Sequence, residues 1–169
     1  MPRPVVVSSA ADPQPVPYIE DLEEVRDYIL HMDFSWQKYK MENDRFVVGW
    51  SRAKLDFAEK QYKNFLFLWR KYRGKPLPPP FQVDDFWHGH ILHTNRYHID
   101  CIAIFGEYLH HYPYFGMRGD GDREGLENAF LDSQRLYRAE FGDWIRDYVD
   151  PPAAPPPSVE QSAPAEATR

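Results

Sequence analysis

A run of helix breakers, Gly74 with Pro76, Pro78, Pro79 and Pro80, crosses the middle of this chain and no regular element can pass through it. Proline has no amide donor and pushes the residue before it out of the helical region, so a helix arriving here must stop and an extended loop must follow. A second break, Pro113 with Gly116, Gly119 and Gly121, lies further on. Around these breaks, apolar residues recur at three and four residues, the spacing of one helix face. Ile19, Leu22, Val25 and Ile29 mark a first helix from Tyr18 to about Met32, and Phe34 to Met41 extends it or forms a short second one. From about Asp44 to Tyr72, Phe46, Trp50, Ala53, Phe57, Phe65 and Trp69 share a face while Arg52, Lys54, Glu59, Lys60 and Lys63 lie off it. Leu126, Phe130, Ser133, Tyr137, Phe141, Trp144 and Tyr148 repeat in the same way from Glu124 to Tyr148. Nothing alternates as a strand would. The prediction is an all-α fold, one compact domain of about four to six helices, with Trp36, Trp50, Trp69, Trp87 and Trp144 supplying much of the core.

The two ends differ in composition. Residues 1–17 carry prolines at 2, 4, 14 and 17, and residues 151–169 read PPAAPPPSVEQSAPAEATR, so both are expected to be disordered or polyproline II tails. The helical domain then occupies residues 18–150. At 43% hydrophobic residues, a chain of 169 can bury one substantial core. The net charge of -6 comes from scattered acidic residues and gives no general attraction to phosphate backbones, so nucleic acid is not an expected partner. One cysteine excludes an intrachain disulfide, and no apolar run matches a signal peptide or a membrane span. A cytoplasmic protein with no membrane partner is the expectation.

Chemistry concentrates between Asp84 and His111, where six histidines, four acidic residues and the lone Cys101 lie in one apolar-flanked, helix-patterned stretch. At about 100° per residue, Asp84 and His88 stand one turn apart, as do His90 and His93. Phe86, Trp87, Ile91, Leu92, Ile99 and Ile102 surround them, so burial is expected. Buried imidazoles beside carboxylates have few solutions: hydrogen-bond networks, proton relays, or a shared cation. Thr94 has the chemistry of an N-cap, which would leave His93 at a helix break.

Other motifs carry less. No H-E-x-x-H or C-x-x-C pattern is present. Asp85-x-x-His88 and Glu107-x-x-His110 imitate half of a di-iron motif but lack the two further glutamates. Asp120, Asp122, Glu124 and Gly125 follow an EF-hand loop until position twelve, which is Leu131, so a solvated acidic loop is expected instead. Cys101, between apolar neighbours, reads as a small buried hydrophobe.

The run VDDFWHGHILHTNRYHIDC, continuing through FGEYLHHYPYFG, resembles the glycine-rich domain-containing-protein-like family of bacteria and of larger plant proteins. Its V-D-x-x-W-H-x-H core, following tyrosine, acidic-cysteine pair and downstream H-H fall here on Asp84, Trp87, His88, His90, Tyr97, Cys101 and His111. In the plant proteins the domain is one module among several, which implies a binding role. A free-standing domain with a histidine cluster is easier to understand as an enzyme.

The leading expectation is therefore a metal-dependent enzyme. His88, His90 and His111 are the expected ligands, Asp84 ligates or orients, and His93 or Tyr97 moves a proton. Three imidazoles leave an open coordination position, where iron or copper would activate dioxygen or zinc would activate water. The aromatic surroundings place an iron or copper oxidoreductase ahead of a zinc hydrolase, acting on a small molecule or a peptide. The alternative is a protein-interaction module in which the histidines form a structural network.

Overall fold

Side chains that capture backbone amides fix where the first and third helices start in the computed structural model, which describes residues 14–43 and 50–149. Among the described residues there are six helices and no strand: α1 Leu22–His31, α2 Ser35–Asn43, α3 Arg52–Lys71, α4 Phe81–Leu92, α5 Thr94–Phe105 and α6 Asp120–Phe141. The predicted all-α class stands. Residues 1–13 of the predicted 1–17 tail, all of the 151–169 tail, and the Asp44–Gly49 part of the predicted long helix lie outside the described residues.

The first helix starts four residues later than its apolar spacing predicts. Asp21 caps it by accepting from the amides of Glu23 and Glu24, both at 2.9 Å, while the Ile19 amide donates to the Ala103 carbonyl of α5 at 3.0 Å. Ser51 likewise starts α3 by accepting from the Lys54 amide, so Trp50 precedes that helix. The last helix ends at Phe141, with Gly142 in the left-handed conformation at φ 73°, and the predicted continuation to Tyr148 does not form. Three glutamines take its backbone instead. Gln134 brackets Ile145, Gln61 and Gln82 donate to the Arg146 carbonyl at 2.9 and 2.7 Å, and Gln82 accepts from the Tyr148 amide at 2.9 Å.

Helix α3 is the pillar of the fold, touched by each of the other five helices. It buries Leu55, Ala58, Gln61, Tyr62 and the unbroken run Phe65 to Leu68. Such burial on more than one stripe is what a central helix requires. Trp50 and Trp87 are in the core, and Trp69 packs against it while its indole donates to the Leu77 carbonyl at 2.8 Å. Trp36 and Trp144, also predicted as core, are 78% and 46% exposed. Trp36 sits on α2, whose other residues are mostly polar, and Trp144 lies beyond the end of α6 with Arg138 over its ring.

Between α5 and α6, Gly106 turns the chain at φ 73° and packs against the Tyr18 ring, which a Cβ at this position would approach to 3.1 Å. Gly106→Ala combines left-handed strain with that contact, so a loss of about 1 to 2 kcal/mol is expected in chemical denaturation. A change below about 0.3 kcal/mol would show that the turn relaxes freely.

Candidate metal centre

The predicted helical run from Asp84 to His111 is broken twice. Pro80 opens α4, whose first residues need no amide donors, and the helix closes where His93, at φ −86° and ψ 62°, donates its amide back to the His90 carbonyl. His93 itself caps α5, and Thr94, expected as the cap, is its first helical residue. That helix ends at Phe105, so His110 and His111 are in the following loop rather than on a helix. The loop folds back over α4.

This return brings His111 to Asp84 and His88. The His111 Nε2 lies 2.9 Å from Asp84 Oδ1 and 3.2 Å from His88 Nε2, and His88 Nε2 lies 3.6 Å from Asp84 Oδ2. One ligand atom from each residue lies within 4.8 Å of the other two. Adjacent ligands of an ion with bonds of about 2.1 Å are spaced by about 3.0 Å in an octahedron and about 3.4 Å in a tetrahedron. The contacts of 2.9 to 3.6 Å are of that size, with His111 meeting Oδ1 of Asp84 and His88 meeting Oδ2. Hydrogen bonding can hold part of the trio as well, since a proton on His111 Nε2 is placed to go to Asp84 Oδ1. The Trp87 ring packs on His111 with centroids 4.6 Å apart, and the Trp69 ring packs on Trp87 at 4.5 Å.

The expected dry interior is not found at this point. The His88 side chain is 48% exposed, Asp84 29% and His111 16%, so the trio forms the rim of the domain. Asp84 and His111 also line a groove of about 1160 Å³. Its walls are the Pro76–Pro80 run, the loop after α5, and α6, with Phe115 and Phe130 among its apolar lining.

His90, predicted as the third imidazole ligand, is not brought to this site. It is 1% exposed and both ring nitrogens are engaged: Nδ1 with the Tyr62 hydroxyl at 2.8 Å and Nε2 with Asp100 Oδ2 at 3.1 Å. The Asp100 carboxylate also accepts from Arg96 Nε at 2.8 Å and the Tyr28 hydroxyl at 2.5 Å. A carboxylate only accepts, so Nε2 carries the ring proton and Nδ1 accepts from Tyr62. The set joins α1, α3, α4 and α5 through one buried charge. Residue type signalled none of Tyr28, Tyr62 or Arg96 as functional, and only their distant packing partner reveals them.

The two residues expected to move protons also sit elsewhere. His93 is exposed at the α4–α5 junction. Tyr97 is 0% exposed, and its hydroxyl accepts from the Trp87 indole at 2.9 Å and donates to the Leu109 carbonyl at 2.5 Å. Burial pushes its phenol far above the ordinary tyrosine value. Cys101 is 2% exposed with a thiol raised by burial, as expected for a buried hydrophobe. Asp85 faces solvent, and Glu107 lies near Arg73, so neither di-iron half-motif assembles. Asp122, read as part of a solvated acidic loop, accepts from the Gly116 and Arg118 amides and organises the start of α6.

The buried set makes stability depend on pH. Burial pulls His90 below its ordinary 6.5, with Asp100 opposing. Burial pushes Asp100 up, but hydrogen bonds from His90, Tyr28 and Arg96 hold it below the usual carboxylate value of 3.8. For His90, the unfolded chain takes a proton as pH falls through 6.5 and the folded chain does not, so stability falls with acid from there downward. For Asp100, the contribution is complete above 3.8 and is lost as pH drops through the folded value. Urea titrations from about pH 7 to 5 should show a decline of at most about 1.4 kcal/mol per pH unit from His90, reduced in His90→Gln.

Residues 24–135 match the UCP032817-like family. The chain is also 32% identical over 92 residues to glycine-rich domain-containing protein 1 of Arabidopsis thaliana, a stretch that is 52% of this chain and 11% of that protein. The chain thus spans only a small share of that relative's length. No solved structure matches it. The residue-by-residue resemblance and the family match agree over the segment that carries Asp84, His88 and His111: the chain belongs to the UCP032817-like family.

Proposed function

We propose that the protein is a metal-dependent enzyme whose centre is Asp84, His88 and His111, with a non-haem iron oxidoreductase as the leading reading. The observation that carries this is the convergence of two imidazole nitrogens and one carboxylate oxygen at the edge of a groove. Two imidazoles and one carboxylate with open positions are the donor set of iron(II) oxygenases. The ion would supply a Lewis acid with redox capacity. The remaining work falls to this chain: Asp84 offsets part of the cation's charge, Trp87 fixes the His111 ring from one side, and the apolar groove presents a small molecule or a peptide to the site.

A zinc hydrolase is the second reading, favoured by the use of two histidines and a carboxylate in catalytic zinc sites. A structural network, the third expectation, describes His90, Tyr62 and Asp100. Elemental analysis of protein purified without a histidine tag tests the proposal. About one equivalent of iron supports the oxidoreductase and one of zinc the hydrolase. Protein that arrives metal-free and takes up neither iron(II) nor zinc(II) at micromolar concentration would overturn both.

A further inference from the structure

We infer that Tyr97 is a positioning residue for the metal centre, holding His111 in place through the backbone of Leu109; this rests on the metal-centre reading above. Among the described residues, the backbone from Glu107 to Pro113 makes no hydrogen bond to other backbone. Nothing of the helical frame that normally fixes a ligand acts on this segment. Its entry is tied down by the Arg73 guanidinium, which donates to the Phe105 carbonyl and reaches the exposed Glu107 at 3.4 Å. Beyond that point the Tyr108 ring packs on Tyr97, and the hydrogen-bonded tie is at Leu109, whose carbonyl accepts from Tyr97 and whose backbone also contacts the Cys101 sulfur. Two residues later comes His111.

An indole N–H only donates, so the hydroxyl accepts from Trp87 Nε1 and its own proton is left to give; the Leu109 carbonyl at 2.5 Å is the stronger acceptor beside it, the Cys101 sulfur the weaker. The same Trp87 ring lies on the His111 imidazole and precedes His88 in α4. A closed circuit results: Trp87 sets Tyr97, Tyr97 sets Leu109, Leu109 sets His111, and His111 returns to Trp87. A ligand delivered by a loop otherwise has to be ordered when the ion binds, at a cost in affinity. Groups that orient ligands in this way are worth about 10- to 100-fold in metal affinity.

The experiment is a competition titration of the full chain with cobalt(II) and zinc(II), reading cobalt absorption in the visible as a report on ligand geometry. Tyr97→Phe keeps the ring and removes the proton, and should weaken binding about 10- to 100-fold and change the cobalt spectrum. In a His111→Ala background the same substitution should have no further effect, because its route to the metal is gone. An affinity within about twofold of the unsubstituted chain overturns the inference, and so does an equal loss in both backgrounds. Should Tyr97→Phe fail to fold, the unsubstituted chain still decides. What Tyr97 does for the metal, the metal must do for Tyr97, so zinc should slow exchange of the Tyr97 hydroxyl proton in NMR, and an unchanged rate overturns the inference. A chain that binds no metal at all removes the metal centre itself, whereas metal bound with no effect of Tyr97 removes only this role.

Discussion

Asp100→Ala is expected to cost the fold about 3 to 5 kcal/mol, enough to unfold a marginal domain, when measured by urea denaturation at neutral pH. The carboxylate is 1% exposed and accepts from three side chains on three different helices: Tyr28 on α1, His90 on α4 and Arg96 on α5. Removing it leaves the buried His90 N–H without an acceptor and takes its partner from the Arg96 guanidinium, which is only 26% exposed. Asp100→Asn is the informative companion. It keeps the shape and one acceptor oxygen but loses the charge, so it should fall between the two. A loss below about 1 kcal/mol for Asp100→Ala would mean that water reaches the site and the network is not the buried keystone described above.

His111→Ala should do the reverse, costing the fold about 1 kcal/mol from lost packing on Trp87 while lowering metal affinity by more than about 100-fold. The side chain lies at the rim, 16% exposed, on a loop whose own backbone makes no hydrogen-bonded ladder, so little of the core depends on it. It is, however, one of three converging ligand atoms. The two substitutions therefore separate two histidine systems that the sequence merges. If His111→Ala destabilised the chain as strongly as Asp100→Ala, the rim trio would be structural and the proposed enzyme would lose its site.

That merging has a simple origin. His88 and His90 are two residues apart, which on a helix is a rotation of about 200°, so they face opposite sides. The expectation of a shared metal drew ligands from both faces, Asp84 and His88 from one and His90 from the other, as though one ion could reach them all. One histidine looks outward to Asp84 and the other inward to Tyr62 and Asp100. The Asp84–His88 pair was legible because four residues make a turn. His111 was legible as a residue type, but the loop that returns it depends on Gly106 and on Tyr97, which no local pattern reveals. Tyr62 meets His90 across a gap of 28 residues and has no signal in sequence at all.

The same distinction runs through the fold. Helical periodicity marked the segments of α1, α3, α4, α5 and α6 because each buries a stripe. It missed their ends wherever a remote polar side chain claimed the backbone. Residues 143–149 keep helix-like apolar spacing in Trp144 and Tyr148, yet Gln61, Gln82 and Gln134 hold them in a non-helical path. A glutamine buried on a neighbouring helix is invisible to a periodicity argument. Asp21, by contrast, is a local cap and a reader of sequence could have found it.

The central place of α3 bears on how the molecule comes apart. With all five other helices leaning on it, no pair can peel away without stripping apolar surface from the pillar, so partial openings are costly everywhere except at the rim. Segments as distant along the chain as α1 and α6 should then lose amide protection together, in a single event.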